Sequence, residues 1–265
     1  MKIVIFKGGL GNQLFQYCLY CKLKEKGFYV KGLNLCSHHN GYELEKYFDS
    51  KVDFCHPSYI YLFNLFCRLP SRVRNYFIIE RFRYSENWHS LFYNDYWQGK
   101  NYLPSKRCVY FKRLPLNDRN QQVLNKINDT NSIGIHVRRG DYLMGGNTKM
   151  FAILGETDYY YKSIHYICER IDNPHFFIFS NDLDWCRKNL ILPNTTYIDW
   201  NIGQNSIYDM FLMSQCRVNV IANSTFSFWA AYLNENAPMV IYPLEWYNGF
   251  KDDTLDIFPC TWIGK

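Results

Sequence analysis

From Ser132 onward, short apolar runs and helical segments take strict turns. IGIHV is followed by a helix near Asp158 to Ile171, then HFFIFS, a helix near Leu183 to Leu190, and TTYIDW. A helix over Ser206 to Gln215, the run RVNVIAN, a helix from about Ser224 to Asn234, and MVIYP complete the series. Strands that are apolar throughout have no wet face, and helices between them supply the crossovers that a parallel sheet needs. The pattern therefore predicts an α/β unit whose ligands bind just past the carboxyl ends of its strands. The N-terminal segment repeats the theme with a strand KIVIF, a glycine loop KGGLGN and a helix. That helix carries Leu14, Tyr17, Cys18 and Cys21 on one stripe until Gly27 ends it. Between about Lys51 and Asn131 the periodicity fades into stretches such as RVRNYFIIERF, and the polar NDTNS before Ile133 reads as a linker. The expected organisation is an α/β domain over residues 1–131 and a second over 132–265.

At 265 residues and 48% hydrophobic, the chain can bury a sizeable core in each. Aromatics make up 19%, a surplus that either lines a site for flat ligands such as sugars and bases or reflects a Tyr-rich composition. The ten cysteines sit in apolar runs and read as reduced thiols, and the Cys18–Cys21 pair, one helical turn apart, reads as core. MKIVIF lacks a secretory h-region, and the apolar stretch Tyr59 to Leu69 is about half the roughly 20 residues that span a bilayer, so a cytoplasmic location is expected. The net charge of +6 is concentrated: Pro57 to Arg119 holds eleven Lys or Arg against four acids. Such a stretch is either a solvated helix face or a peripheral contact with anionic membrane. No nucleic-acid-binding module is recognisable, and no nucleic acid partner is expected.

The residues after the strands carry the chemistry. Gly8, Gly9 and Gly11 between a strand and a helix allow close backbone approach to an anion. A dinucleotide fingerprint would need a third glycine where Leu14 stands, which disfavours an oxidoreductase. Asn12 and Gln13 add polar groups that a bare turn does not need. In His136-Val137-Arg138-Arg139-Gly140-Asp141-Tyr142, charge appears where a buried strand ends, which is costly unless used. Alternation puts His136 and Arg138 on one face, and Arg138 can reach a diphosphate as a two-pronged donor; a surface Arg–Asp cluster is the plainer alternative. Asp182 and Asp184 form an Asp-x-Asp that could hold a metal, but they sit where a helix N-cap and first turn belong. Asn223, Ser224, Thr225 and Ser227 lie between a strand and a helix; capping explains one hydroxyl and leaves the others for an anion.

The motifs GGLGNQLFQY, HVRRGDY, Ser-Asn-Asp after a strand, and DMFLMSQC through ANSTFSFWAAYL, in this order, resemble the α-1,2-fucosyltransferases of glycosyltransferase family 11. The resemblance implies a GT-B-like fold, two Rossmann-like α/β domains facing a cleft, with the N-terminal domain on the acceptor side. It further implies a GDP-fucose donor bound by the C-terminal domain, a galactose-terminated acceptor, inversion at the fucose anomeric carbon, and no cofactor or obligatory metal. Carried over, Arg138 neutralises the β-phosphate, His136 holds the nucleotide and Asp209 faces the guanine. Ser224, Thr225 and Ser227 bind the diphosphate, with Gly11 and Asn12 closing it from the other domain; Arg139, Asn181 and Asn223 complete the donor set. Asp141 is the expected base, with Glu156 and Asp158 as rivals. The family's more usual Ser-Asp-Asp is Ser-Asn-Asp here, and Leu143 to Gly155 has no family counterpart. Fucosyl transfer of another linkage (α-1,6 or O-linked), or a non-catalytic nucleotide-sugar or glycan-binding module, are the competing readings.

Overall fold

The computed structural model describes residues 1–37, 39–80, 90–236, 239–248, 250–251 and 256–265. The chain divides into two compact units, Met1–Lys112 and Arg113–Lys265. In the first, the elements are β1 (Lys2–Phe6), α1 (Leu10–Glu25), β2 (Val30–Asn34), α2 (Leu44–Tyr47), α3 (Tyr59–Cys67), α4 (Ser71–Phe77), β3 (Ile78–Ile79) and β4 (Phe92–Tyr93). They build a parallel sheet of order β2-β1-β4-β3. Every residue of β1 is buried, and Ile3 and Ile5 pack with Leu33, Phe63, Ile78 and Phe92 into one core.

The second unit contains α5 (Asp118–Asp129), β5 (Asn131–Val137), α6 (Asn147–Met150), α7 (Tyr159–Cys168), β6 (Pro174–Ser180), α8 (Leu183–Asn189) and β7 (Thr195–Ile198). It continues with α9 (Ser206–Met213), β8 (Val218–Val220), α10 (Thr225–Tyr232), β9 (Met239–Tyr242), β10 (Glu245–Tyr247), β11 (Phe250–Lys251) and β12 (Ile263–Gly264). Each strand and helix expected after Ser132 is present. The boundary, however, lies upstream of the expected residue 131. NDTNS is the end of α5 and the start of β5 rather than a linker, and α5 joins the second unit through Asn120, whose amide exchanges hydrogen bonds with Asn201.

The six-stranded parallel sheet has the order β12-β9-β8-β5-β6-β7. From β5 the chain moves outward through β6 and β7, then returns to the other side of β5 for β8, β9 and β12. This is the doubly wound order, and its direction reverses between β5 and β8. Their paired registers, Ile133↔Val218 to Ile135↔Val220, bring the loops that follow the two strands side by side. A doubly wound sheet opens a crevice for ligand at this point.

Candidate functional site

β5 is buried from Ser132 to Val137, so the chain emerges from the core at Arg138. The Arg138 guanidinium donates to Asp141 Oδ2 at 2.8 Å and lies over the Tyr142 ring. Asp141 Oδ1 accepts from Asn181 Nδ2 at 3.1 Å, while Asn181 Oδ1 accepts from the Arg139 amide at 3.0 Å. The loop after β5 is thus pinned to the loop after β6. Gly140 leaves room for this contact: an added Cβ would come within 2.8 Å of Asn181 Nδ2, and the Asn181 side chain would have to shift.

The two arginines part ways. Arg139 turns into the scaffold, its side chain 12% exposed, with Nε bonded to Asp182 Oδ2 at 3.3 Å and the guanidinium over Trp185. Asp182 also caps α8 by accepting from the Trp185 amide, as its position suggested. Asp184 is exposed and pairs with Arg187 at 3.7 Å. Among the described residues, no three His, Cys, Asp or Glu side chains gather where they could hold a metal ion.

Beside this loop, β8 leads into α10. The buried Asn223 donates to the carbonyls of Ala152 and Trp246, both at 2.9 Å, and its own carbonyl accepts from the Tyr142 hydroxyl at 2.9 Å. Ser224 caps α10 by accepting from the Phe226 amide. Ser227 is fully buried and its hydroxyl bonds back to the carbonyls of Ala222 and Ser224. Thr225 is half-buried at the first position of α10. The His136 ring lies 5.7 Å from the Phe226 ring, centroid to centroid. Burial, reinforced by the Arg138 charge, holds the His136 imidazole down to about 3, and its buried Nδ1 has no hydrogen-bond partner among the described residues. A neutral imidazole within range of the Arg138 charge and beside Phe226 in the first turn of α10 is suited to bind an anionic ligand with polar hydrogens to offer.

Asp209 stands in the first turn of α9. Burial pushes its carboxyl up to about 8, against the opposing hydrogen bond that Asn201 Nδ2 donates at 2.8 Å. Asn201 is held in turn by Asn120, which also accepts from Trp200 Nε1 at 2.8 Å. Asn120 and Asn201 position Asp209, and no sequence motif announced them. Of the rival acids, Glu156 and Asp158 are both exposed, and Asp158 pairs with Lys162 at 2.6 Å.

In the first unit, Gly8 adopts φ +76, a conformation that favours glycine. Asn12 Oδ1 accepts from Gln98 Nε2 at 2.9 Å, and Gly11 is buried in the first turn of α1. The polarity of Gln13 has a structural explanation: fully buried, it donates to the carbonyls of Gly8 and Gly41 and accepts from the Glu43 amide. Gln16 similarly clasps the backbone of Lys7. Lys7 lies outside the expected set, although its place immediately after β1 is a signal of the same kind as that of Arg138. Its ammonium bonds to Asn94 Oδ1 at 2.8 Å, and burial lowers its pKa, partly offset by Asp95, Glu80 and Cys67.

The profile of glycosyl transferase family 11 matches residues 76–265. The chain is 31% identical to an alpha-1,2-colitosyltransferase of Escherichia coli, over 99% of each chain. A segment covering 38% of the chain is 34% identical to 28% of galactoside alpha-(1,2)-fucosyltransferase 1 from Sus scrofa. In three dimensions the chain resembles the crystal structure of the fucosyltransferase NodZ from Bradyrhizobium, with a TM-score of 0.52 at 11% identity over 89% of this chain and 92% of that one. This likeness in fold agrees with the GT-B-like α/β class expected from the sequence.

Proposed function

The chain belongs to glycosyl transferase family 11, and from that premise we propose that it transfers L-fucose from GDP-fucose to the 2-hydroxyl of a terminal galactose, inverting the anomeric carbon. The observation that carries the reading is the switch point of the second sheet, where Arg138, aligned by Asp141, adjoins the start of α10. Departure of GDP builds negative charge on the β-phosphate, and a guanidinium and helix amides already aimed at it stabilise that charge as it forms. Thr225 and the cap at Ser224 offer donors there. His136 and Asp209 hold the nucleotide, with Asp209 toward the guanine. Arg139, Asn181, Asn223 and Ser227 support the donor site by fixing its loops, as their internal hydrogen bonds suggest. Gly11 and Asn12 are further donor contacts, and the first unit serves the acceptor. Asp141 is the base that removes the galactose hydroxyl proton. The enzyme acts in the cytoplasm, in peripheral contact with anionic membrane.

A second reading takes a colitosyl donor, favoured by the similarity over full length to an alpha-1,2-colitosyltransferase. Colitose is fucose without one hydroxyl. A site that hydrogen-bonds that hydroxyl would reject the deoxy sugar strongly, by about 10⁴–10⁵-fold, whereas an apolar site would not. Incubation with GDP-fucose and GDP-colitose in competition, on a panel of β-galactosides and with the linkage read by NMR, decides between them. An α-1,2-fucosylated product is expected, and activity should survive EDTA because Arg138 and the α10 start supply positive charge. Exclusive transfer of colitose would select the second reading. Donor binding without transfer or hydrolysis would overturn both.

A further inference from the structure

α3 and α4 form a helical pair whose inner side is apolar and satisfied: Phe66 stacks on Phe77 with centroids 4.3 Å apart, and Phe63 packs edge-on against Phe92. The outer side is also apolar. Tyr61 and Leu65, one turn apart on α3, are 80% and 57% exposed, and Val73 and Tyr76 on α4 are 45% and 78% exposed. Helical spacing continues the first pair to Arg68 and sets Arg72 one turn before Tyr76, and both arginines are exposed. Arg68, Arg72 and Arg74 form no ion pair among the described residues, and no acid occurs from Pro57 to Ile79. Arg81 and Arg83, which contributed to the basic stretch seen in the sequence, lie outside the described residues.

We infer that the outer face of α3 and α4 is a docking surface for an anionic lipid bilayer, with Tyr61, Leu65, Val73 and Tyr76 entering the headgroup region while Arg68 and Arg72 meet the phosphates. This rests on, and gives a location to, the peripheral membrane contact proposed above. Two features favour a bilayer over a protein partner. Exposed tyrosines beside arginines match the layered chemistry of an interface, with apolar bodies, polar tips and cations at headgroup depth. The face also carries one sign of charge only, so a second copy of it would meet like charge.

The test is co-sedimentation of the full chain with vesicles of phosphatidylcholine alone and of phosphatidylcholine with phosphatidylglycerol, at low and high salt. Binding is expected only with phosphatidylglycerol and should fade with salt. Each of Arg68→Gln and Arg72→Gln should weaken it about fivefold, and Tyr61→Ser with Tyr76→Ser should weaken it without changing its salt dependence. These surface changes should leave the fold intact, which transfer to a water-soluble galactoside reports independently. Absence of transfer by the wild type would count against the proposed reaction, not against this surface, and an unchanged melting temperature then reports the fold of the variants. Equal binding by wild type and variants, no binding to either vesicle, or variants that abolish self-association instead would overturn the inference.

Discussion

Arg138 and Asp141 are one hydrogen-bonded unit, and their substitutions report on different parts of the proposed reaction. Arg138→Ala removes a contact whose value grows as GDP leaves, so kcat should fall by about 10²–10³-fold. Lysine restores charge without the planar fork and should rescue partly. Near-normal turnover in folded Arg138→Ala would move the diphosphate elsewhere. Asp141→Asn should also slow transfer, and the pH profile separates its two roles: a missing base removes the acidic limb of kcat, whereas loss of alignment alone lowers the plateau and leaves the limb. Asp209 gives a prediction on stability. Its folded-state pKa, about 8, lies above the ordinary 3.8, so the stability present at low pH is lost as pH rises toward 8. His136 acts only below its ordinary 6.5, because its folded value is about 3. Between about 6.5 and 8, urea unfolding of the ligand-free protein should therefore show stability falling by up to about 1.4 kcal/mol per pH unit. Asp209→Asn should flatten that slope and His136→Gln should keep it; a flat wild-type profile would contradict the buried carboxyl.

At the level of elements, the loop between β1 and α1 depends on a side chain from the helix it precedes. Gln13→Ala strands the buried amide of Glu43 and the partly buried carbonyls of Gly8 and Gly41, and should cost about 1–3 kcal/mol, read as a lowered Tm by calorimetry. An unchanged Tm would mean that water replaces the amide. The same residue shows where sequence reading stops. Buried parallel strands such as HFFIFS are uninterrupted apolar runs, which is why the second sheet was legible from Ser132 to Pro243. β3, β4 and β12 have two residues each, too short for any period, and β3 hides at the end of RVRNYFIIERF, where α4 stops at Phe77. Charge at the end of a buried strand made Arg138 visible. Gln13 and Ser227 look equally functional in one dimension, yet both bond back to their own scaffold. Asn120 and Asn201 leave no trace at all because their partners are distant in sequence. The surplus of tyrosine has a similar answer in part: the hydroxyls of Tyr142, Tyr159 and Tyr160 satisfy the carbonyls of Asn223, Ile221 and His136.

For the whole molecule, two units with separate cores meet in the chain at the exposed Lys112 and Arg113. Limited trypsin digestion should cut there early, and GDP should then protect the fragment 113–265, since ligand at about 100 times its Kd adds about 2.7 kcal/mol to the unit that binds it. Protection of fragment 1–112 alone would put the nucleotide in the first unit. One residue in the second unit gives a different kind of expectation. Asn223 ties together the loop after β5, the segment at Ala152 and strand β10 at Trp246, so these three backbones are already fixed relative to one another when the protein folds. The conformational entropy of ordering them is then absent from the binding equilibrium. Calorimetric titration with GDP over a range of temperatures should give a heat-capacity change no larger than the apolar area of the nucleotide itself accounts for, without the large negative value that accompanies coupled folding.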